Sequence, residues 1–242
     1  MKIIKYKKLS GNKYEVYLED GNKIRIYEDI ILKEGLLLKK EVIDINELLK
    51  KNASFEIYDI SLKRLSHHVE SVKGMRDYLQ KKGYEKKDID NTIDKLIEKG
   101  YLNDEYYAKC YVTDRINLSN DGPFKIIKHL EDVEIPSNIY YEYLDISSGI
   151  WQDKIKKYID HNLKSNKKSL YFFKNKMLVN LLNLGYDKER INDYLSSVQI
   201  DNQQELMEKE KEKIRLKLSR KYSGKELEYK IKEKLYQKGF FE

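Results

Sequence analysis

The chain has 242 residues, 40% of them apolar and 37% charged, with 48 Lys plus Arg against 41 Asp plus Glu. That apolar share is enough to build cores and excludes a wholly disordered chain. Two prolines and eleven glycines argue against a collagenous or turn-dense all-β protein. The longest uncharged run, Met177 to Tyr186, is ten residues, far too short to span a bilayer. No secretory leader is apparent, so a cytoplasmic location without membrane association is expected. The single cysteine, Cys110, excludes an intramolecular disulfide framework, and no Cys/His pair has zinc-finger spacing. Net charge is uneven: +2 over 1–58, −3 over 59–148 and +8 over 149–242. A basic third of this kind can attract a polyanion. Only seven of the basic residues are arginine, so composition alone does not separate that role from solubility.

The first 35 residues read as strands. Tyr14 to Leu18 and Lys23 to Tyr27 alternate in polarity, and Glu19-Asp20-Gly21-Asn22 between them suits a tight hairpin. Ile3 to Tyr6 adds a third strand through a turn at Ser10-Gly11-Asn12. So small a sheet needs a helical cover, for which Glu28–Leu38 and Asp44–Lys51 are available. From about residue 53 the pattern becomes helical and stays so. Ile57, Ile60, Ser61 and Leu65 share one helix face. Asn103 or Asp104 can cap a helix striped by Tyr107, Ala108, Tyr111 and Val112. Pro123 and Pro136 sit where a first helical turn tolerates proline.

The helical part repeats at a period of 51 residues. Met75, Leu79, Gly83-Tyr84, Ile89 and Ile93 recur as Ile126, Leu130, Glu134-Ile135, Tyr140 and Leu144. They recur again as Met177, Leu181, Gly185-Tyr186, Ile191 and Leu195, and a partial copy has Ile231, Leu235 and Gly239-Phe240. Each unit reads as a helix ended by a left-handed glycine, an apolar plug, and a second helix. A linking helix then joins it to the next unit. Three short helices bury too little alone, so the units are expected to stack. The expected fold is mainly α: tandem three-helix repeats in an elongated curved array with a small N-terminal strand-bearing extension. The expected divisions are an extension over 1–52, a first repeat with its linking helix over 53–118, a second over 119–166, and a third with the partial copy over 167–242. Glu134 breaks the glycine pattern, so its helix end is expected to be either strained or not left-handed.

No catalytic motif occurs, and neither a catalytic residue, a metal nor a cofactor is expected. His67 and His68 are adjacent and point about 100° apart on a helix, while His129 and His161 lack ligand-spaced partners. Cys110 reads as a small core residue, and Trp151 and the stripe tyrosines Tyr84, Tyr107, Tyr140, Tyr158 and Tyr186 as core rather than base-stacking groups. In Glu205–Tyr222 the early part offers Glu205–Lys209 and Glu210–Lys213 pairs. The later part, Lys213, Arg215, Lys217, Arg220 and Lys221, is purely basic and forms the first candidate contact with a partner or DNA. Lys164, Lys167, Lys168, Lys174 and Lys176 form a second. Arg64, Arg76, Lys81, Lys82, Arg115, Lys125 and Lys128 are secondary candidates.

The stretch Leu79-Gln80-Lys81-Lys82-Gly83-Tyr84, then Ile89, Ile93 and Leu96, leads into Gly100-Tyr101-Leu102-Asn103-Asp104-Glu105-Tyr106-Tyr107-Ala108 and Tyr111-Val112. This series resembles the signature of the RecX regulatory family, and Gly122-Pro123, Ile126 and Leu130 continue the likeness. The strand-bearing extension is similar to that of members from low-GC Gram-positive bacteria. Two departures stand out. Family members commonly carry Arg-x-Arg-Ser/Thr and an acidic residue where this chain has His68, Glu70, Ser71 and Gly74, and the second unit has Val133-Glu134 in place of Lys-Gly.

The resemblance implies a negative regulator of the RecA recombinase, acting in recombination and DNA repair. It implies binding along the RecA–single-stranded DNA filament and suppression of ATP hydrolysis and strand exchange. The expected partner is that nucleoprotein filament, with single- or double-stranded DNA as a further ligand, and the expected state is a monomer. Two other readings stay open from the residues themselves: a stand-alone DNA-binding helical protein, and a helical-repeat scaffold for another protein.

Overall fold

The computed structural model describes residues 1–241, which form two compact units, Met1–Tyr107 and Ala108 onward. In the first unit β1 (Ile3–Lys8), β2 (Lys13–Leu18) and β3 (Lys23–Tyr27) make an antiparallel meander in the order β1-β2-β3. The β2–β3 register sets Val16 opposite Ile24 and Tyr14 opposite Ile26. Gly21, at φ 85°, makes the hairpin turn possible, and Asp20 accepts a hydrogen bond from the Asn22 amide at 3.0 Å. One face of the sheet buries Ile3, Val16, Leu18 and Ile26. The short helices α1 (Glu28–Lys33) and α2 (Leu36–Lys39) complete this core with Ile30, Ile31 and Leu36.

The helix α3 (Ile45–Leu65) is longer than its sequence suggested, running unbroken through the expected division at residue 52. Asp44 caps it by accepting from the Glu47 amide at 3.0 Å. Asn52, within it, anchors the helix to the sheet. β3 is an edge strand, and its outer backbone groups need partners. The buried Asn52 side chain accepts from the Tyr27 amide at 2.9 Å and donates to the Arg25 carbonyl at 3.2 Å. One polar side chain thus fastens the helix to the sheet edge. Further along, Ile57 packs with α4 (Val72–Lys81) and α5 (Lys86–Glu98) around Met75, Leu79, Ile89, Ile93, Leu96 and Leu102.

Helix α6 (Asp104–Leu118) begins in the first unit and continues into the second. Asn103 is its cap, accepting from the Tyr106 amide at 3.0 Å, while Asp104 accepts from the Val72 amide at 2.8 Å. Burial raises the pKa of Asp104, and the Val72 hydrogen bond opposes that rise. The second unit continues with α7 (Pro123–Asp132), α8 (Ser137–Tyr140), α9 (Ile150–Leu163), α10 (Leu170–Asn183), α11 (Lys188–Ser197), α12 (Gln203–Leu218) and α13 (Gly224–Gln237). Pro123 is the first residue of α7, and Pro136 precedes α8 as its cap. The second helix of the middle repeat is thus a single turn. After it the Asp145 carboxylate takes the Ser147 amide at 2.8 Å and its carbonyl takes the Trp151 indole N–H at 2.7 Å, folding that segment as a turn.

The repeat register appears in the structure as one recurring backbone motif. At each first-helix end a left-handed residue reverses the chain, and the next amide donates five residues back. The bonds are Tyr84 to Leu79 (3.4 Å), Ile135 to Leu130 (2.9 Å), Tyr186 to Leu181 (3.1 Å) and Phe240 to Leu235 (3.0 Å). Tyr101 to Leu96, at 2.8 Å, adds the same motif at the end of α5. These are Schellman ends, which satisfy carbonyls that the helix leaves open. Glycine holds the left-handed position at 83, 100, 185 and 239; Glu134 holds it at φ 60°. The end of α7 is therefore left-handed without glycine, at a cost of about 1 kcal/mol.

Gly185 carries a second constraint. The Gly122 amide donates to the Leu184 carbonyl at 2.7 Å and the Phe124 amide to the Gly185 carbonyl at 3.1 Å, docking the start of α7 on the end of α10. A Cβ at Gly185 would lie 2.4 Å from the Lys125 amide nitrogen. Gly185→Ala combines left-handed strain with a backbone clash and is expected to cost about 3 kcal/mol or more. Glu134→Gly relieves strain with no such clash at its position in the motif. Part of that gain is offset by a looser unfolded chain, leaving about 0.5–1 kcal/mol of stabilisation. Chemical denaturation of the two variants beside the parent checks both signs; a stable Gly185→Ala protein would refute the docking argument.

Candidate functional site

Among the described residues, no group of three or more His, Cys, Asp or Glu side chains is placed to hold a metal ion. The His67 and His68 rings stand 6.5 Å apart, edge to face. Cys110 is a half-buried free thiol. Trp151 is buried, 6.5 Å from the ring of Tyr186. Tyr140 and Tyr186 are buried too, and Tyr84, Tyr107 and Tyr158 are half-buried. Burial raises the Tyr186 hydroxyl pKa far above its ordinary value. The stripe tyrosines therefore serve as packing groups.

The basic segment lies on α12 and the turn after it, where α12 packs against α13 through Ile214, Ile231, Leu235 and Phe240. Its cations have different fates. Arg215 reaches Glu212 at 3.2 Å and Glu228 of α13 at 3.0 Å, so it ties the hairpin together. Lys213 lies 3.6 Å from Glu210. Lys217, Arg220 and Lys221 are exposed and have no carboxylate partner among the described residues. They cluster at the C-terminal end of α12, where the helix dipole also favours positive charge.

The second lysine group surrounds the α9–α10 connection. Lys164 caps the end of α9, and Lys167 and Lys168 lie in the loop, shaped by Asn166 donating to the Lys168 carbonyl at 2.8 Å. Lys174 and Lys176 lie on α10. Ser169 caps α10, and its hydroxyl also donates to the Lys238 carbonyl at 2.7 Å. That bond brings the chain after α13 against the loop. Lys167, Lys168 and Lys238 thereby line one open groove of about 390 Å³ with Phe172, Phe240 and Glu210. Glu210 accepts from Lys238 at 2.5 Å and also faces Lys213. Hydrogen bonding from Lys238, then Coulombic attraction, holds the Glu210 carboxylate below its ordinary pKa. The fold thus sets Lys167 and Lys168 along one groove with Glu210, the carboxylate that also lies 3.6 Å from Lys213. Lys238 joins them although its sequence neighbourhood gives no sign of it, because a contact between residues 69 apart leaves no local pattern.

The secondary candidates are mostly engaged within the protein. Arg64 pairs with Glu70 at 2.5 Å and lies 4.3 Å from the Tyr78 ring centroid. Arg76 pairs with Asp90. Asp121 holds Lys125 at 2.6 Å and Arg115 at 3.7 Å. Lys82 sits 5.6 Å from the Tyr78 ring centroid. Lys81 and Lys128 are exposed and have no carboxylate partner among the described residues.

The positions that depart from the family's arginine motif have structural work of their own. Ser71 caps α4 by accepting from the Gly74 amide at 2.9 Å. A Cβ at Gly74 would sit 2.8 Å from a Glu70 carboxylate oxygen, the group that holds Arg64. His68, Val69 and Glu70 border an open apolar groove with Leu65, Tyr101 and Tyr106.

Comparison with known proteins agrees with this architecture. Residues 58–96, which span the end of α3 through α5, match the family model described as RecX, first three-helix domain. Regulatory protein RecX of Oceanobacillus iheyensis is 28% identical over 250 residues, covering 95% of this chain and 89% of that protein. Its Streptococcus agalactiae counterpart is 29% identical over 255 residues, covering 99% and 95%. A crystal structure of regulatory protein RecX shares the fold with a TM-score of 0.59 at 20% identity, over 79% of this chain and 98% of that one. The crystal structure of RecX from Lactobacillus salivarius aligns with a TM-score of 0.51 at 26% identity, over 60% and 97%. Residues 58–96 thus match the first three-helix domain of RecX, and the chain is similar over nearly its whole length to proteins named regulatory protein RecX.

Proposed function

We propose that this protein is a negative regulator of RecA that binds the RecA–single-stranded DNA filament and inhibits its ATPase and strand-exchange activities. The observation that carries this reading is the near-complete alignment with proteins named regulatory protein RecX, from the N-terminal extension to the last helix. The signature residues Leu79, Ile89, Ile93 and Leu96 support it, since they form the core of the matched domain, and Tyr84 closes its α4 helix end. Such a role needs no catalytic centre. Inhibition is steric and electrostatic, with affinity assembled from many modest contacts made by successive helical units. The 1–52, 53–118, 119–166 and 167–242 divisions serve as the contact modules in this reading, with α3 bridging the first two.

The C-terminal cations are the proposed electrostatic contact. Lys217, Arg220 and Lys221 have no internal claim on their charge, and Lys213 shares Glu210 with Lys238. Exposed pairs of that kind contribute at most about 1 kcal/mol, so a polyanion can displace them. Arg215 is different, because removing it loosens the α12–α13 hairpin.

A titration of RecA's single-strand-dependent ATPase tests the proposal. Activity is expected to fall as the protein approaches stoichiometry with filament sites; no fall at several-fold excess refutes the reading. In a variant with Lys213, Lys217, Arg220 and Lys221 all changed to Glu, half-inhibition is expected to move to roughly tenfold higher concentration, equivalent to about 1.4 kcal/mol of lost binding. Arg215 is left intact so that helicity by circular dichroism stays constant. Unchanged inhibition moves the contact to Lys81, Lys128 and the inner surface of the repeats. Raising salt should weaken the parent more than the variant.

A further inference from the structure

Among the exposed aromatic side chains of the second unit are Tyr171, Phe172, Tyr229, Tyr236 and Phe241, which occupy no helix stripe and have exposures of 38% to 68%. Single exposed aromatics are ordinary, but a contiguous group is not. Four of these are contiguous. The Tyr171 ring centroid lies 5.7 Å from Phe172 and 5.2 Å from Phe241, and Phe241 lies 5.0 Å from Tyr236. All three pairs meet edge to face, at 72° to 78°, so ring faces stay open to solvent.

The backbone fixes this arrangement. The left-handed turn at Gly239 lies against the first turn of α10, where a Cβ would stand 2.8 Å from the Tyr171 ring and 3.0 Å from that of Phe172. The Ser169–Lys238 hydrogen bond holds the same junction. Cations surround it. Lys174 follows Tyr171 by three and Lys176 follows Phe172 by four, so each shares a helix side with a ring, while Lys168, in the loop before α10, lines a groove with Phe172. Lys167, Lys168, Lys174 and Lys176 have no carboxylate partner among the described residues. Two acids of α12 and α13 are engaged within the protein: Glu210 by Lys238, and Glu233 by Lys230 at 2.9 Å.

We propose that this surface binds single-stranded nucleic acid directly, with bases stacking on Tyr171, Tyr236 and Phe241 and phosphates facing the lysines around α10. Every base offers a π-face, so open aromatic faces beside unpaired cations suit an unstacked strand. A duplex keeps its bases paired and stacked, and cannot use the rings. The flanking charges are lysines, which attract phosphate as point charges without reading base edges, so binding is indifferent to sequence. The proposal goes beyond the RecA reading and does not depend on it.

The test uses the full chain without RecA. Fluorescence anisotropy follows binding of a labelled oligothymidylate, an abasic strand of equal length and a duplex, all at one salt concentration. The oligothymidylate is expected to bind roughly tenfold or more tightly than the abasic strand, and Tyr171→Ala with Tyr236→Ala to remove that difference. Tyr171→Phe with Tyr236→Phe should retain it, since the ring and not the hydroxyl is used. Tyr236→Ala alone, at a 68% exposed position, gives a partial loss in a protein whose folding is not at stake. Equal affinity for the abasic strand, or undiminished binding by the alanine variants, overturns the proposal. So does an alanine variant that keeps its DNA affinity but loses inhibition of RecA, which makes the rings a protein contact. Because RecA is absent from the binding assay, failure here leaves the ATPase result standing on its own.

Discussion

A residue forced into the left-handed region one step beyond the end of a helix is the constraint on which the helical units rest. It lets the next amide return to the carbonyl five residues back, as Tyr84 does to Leu79 and Phe240 does to Leu235. The helix end is then closed without solvent, and the following apolar residue turns inward. Leu79, Leu130 and Leu181 are fully buried beneath these turns, with a contribution of about 2 kcal/mol each from burial alone. An open helix end at any of them would leave carbonyls unsatisfied beside the core. Glycine is therefore retained at most copies, and Glu134 shows that the motif persists even where the side chain opposes it.

This dependence explains why much of the fold was legible in the sequence. The apolar pair four apart, the glycine and the plug occupy fixed steps, and physics links each step to the next. The strands were legible for a similar reason, since polarity alternated on both sides of a glycine turn. What escaped was whatever depended on a distant partner. Asn52 looks like an ordinary polar residue between two helical stretches, yet it fills bonding groups of a strand edge 25 residues away and so ties α3 to the sheet. The middle unit's second helix shrank to α8 because Asp145 and Ser147 formed a competing local turn, which the apolar spacing of Tyr140 and Leu144 does not reveal.

The candidate surface followed the same division. A run of cations is visible in any linear reading, but which of them are available is decided by carboxylates elsewhere. Arg215 stands in the middle of the basic run and is the least available, because Glu228 lies across the hairpin. Lys238 was invisible as a surface member until the Ser169 bond placed it beside Lys167 and Lys168. The tyrosines divide likewise. Those in register with the repeat are packing groups, whereas Tyr171 and Tyr236 fall between stripe positions and were passed over for want of a pattern.

Charge distribution adds one more step. The first unit carries many lysines but pairs two of its three arginines internally, with Arg64 on Glu70 and Arg76 on Asp90. Arginine, with its planar fork, is the stronger group for holding an oriented carboxylate. The chain uses arginine for several internal ties, at Arg64, Arg76 and Arg215, and the open surface is mostly lysine, with Arg220 among the exposed cations. Lysine is strongly hydrated and adapts to phosphates whose spacing changes, which suits a flexible strand better than a fixed lattice of partners. A protein built this way gains long-range attraction from its last 94 residues without spending its geometrically demanding side chains on it. In the binding proposed above, discrimination between a strand and a duplex rests on the aromatic faces beside α10, which the turn at Gly239 holds in position.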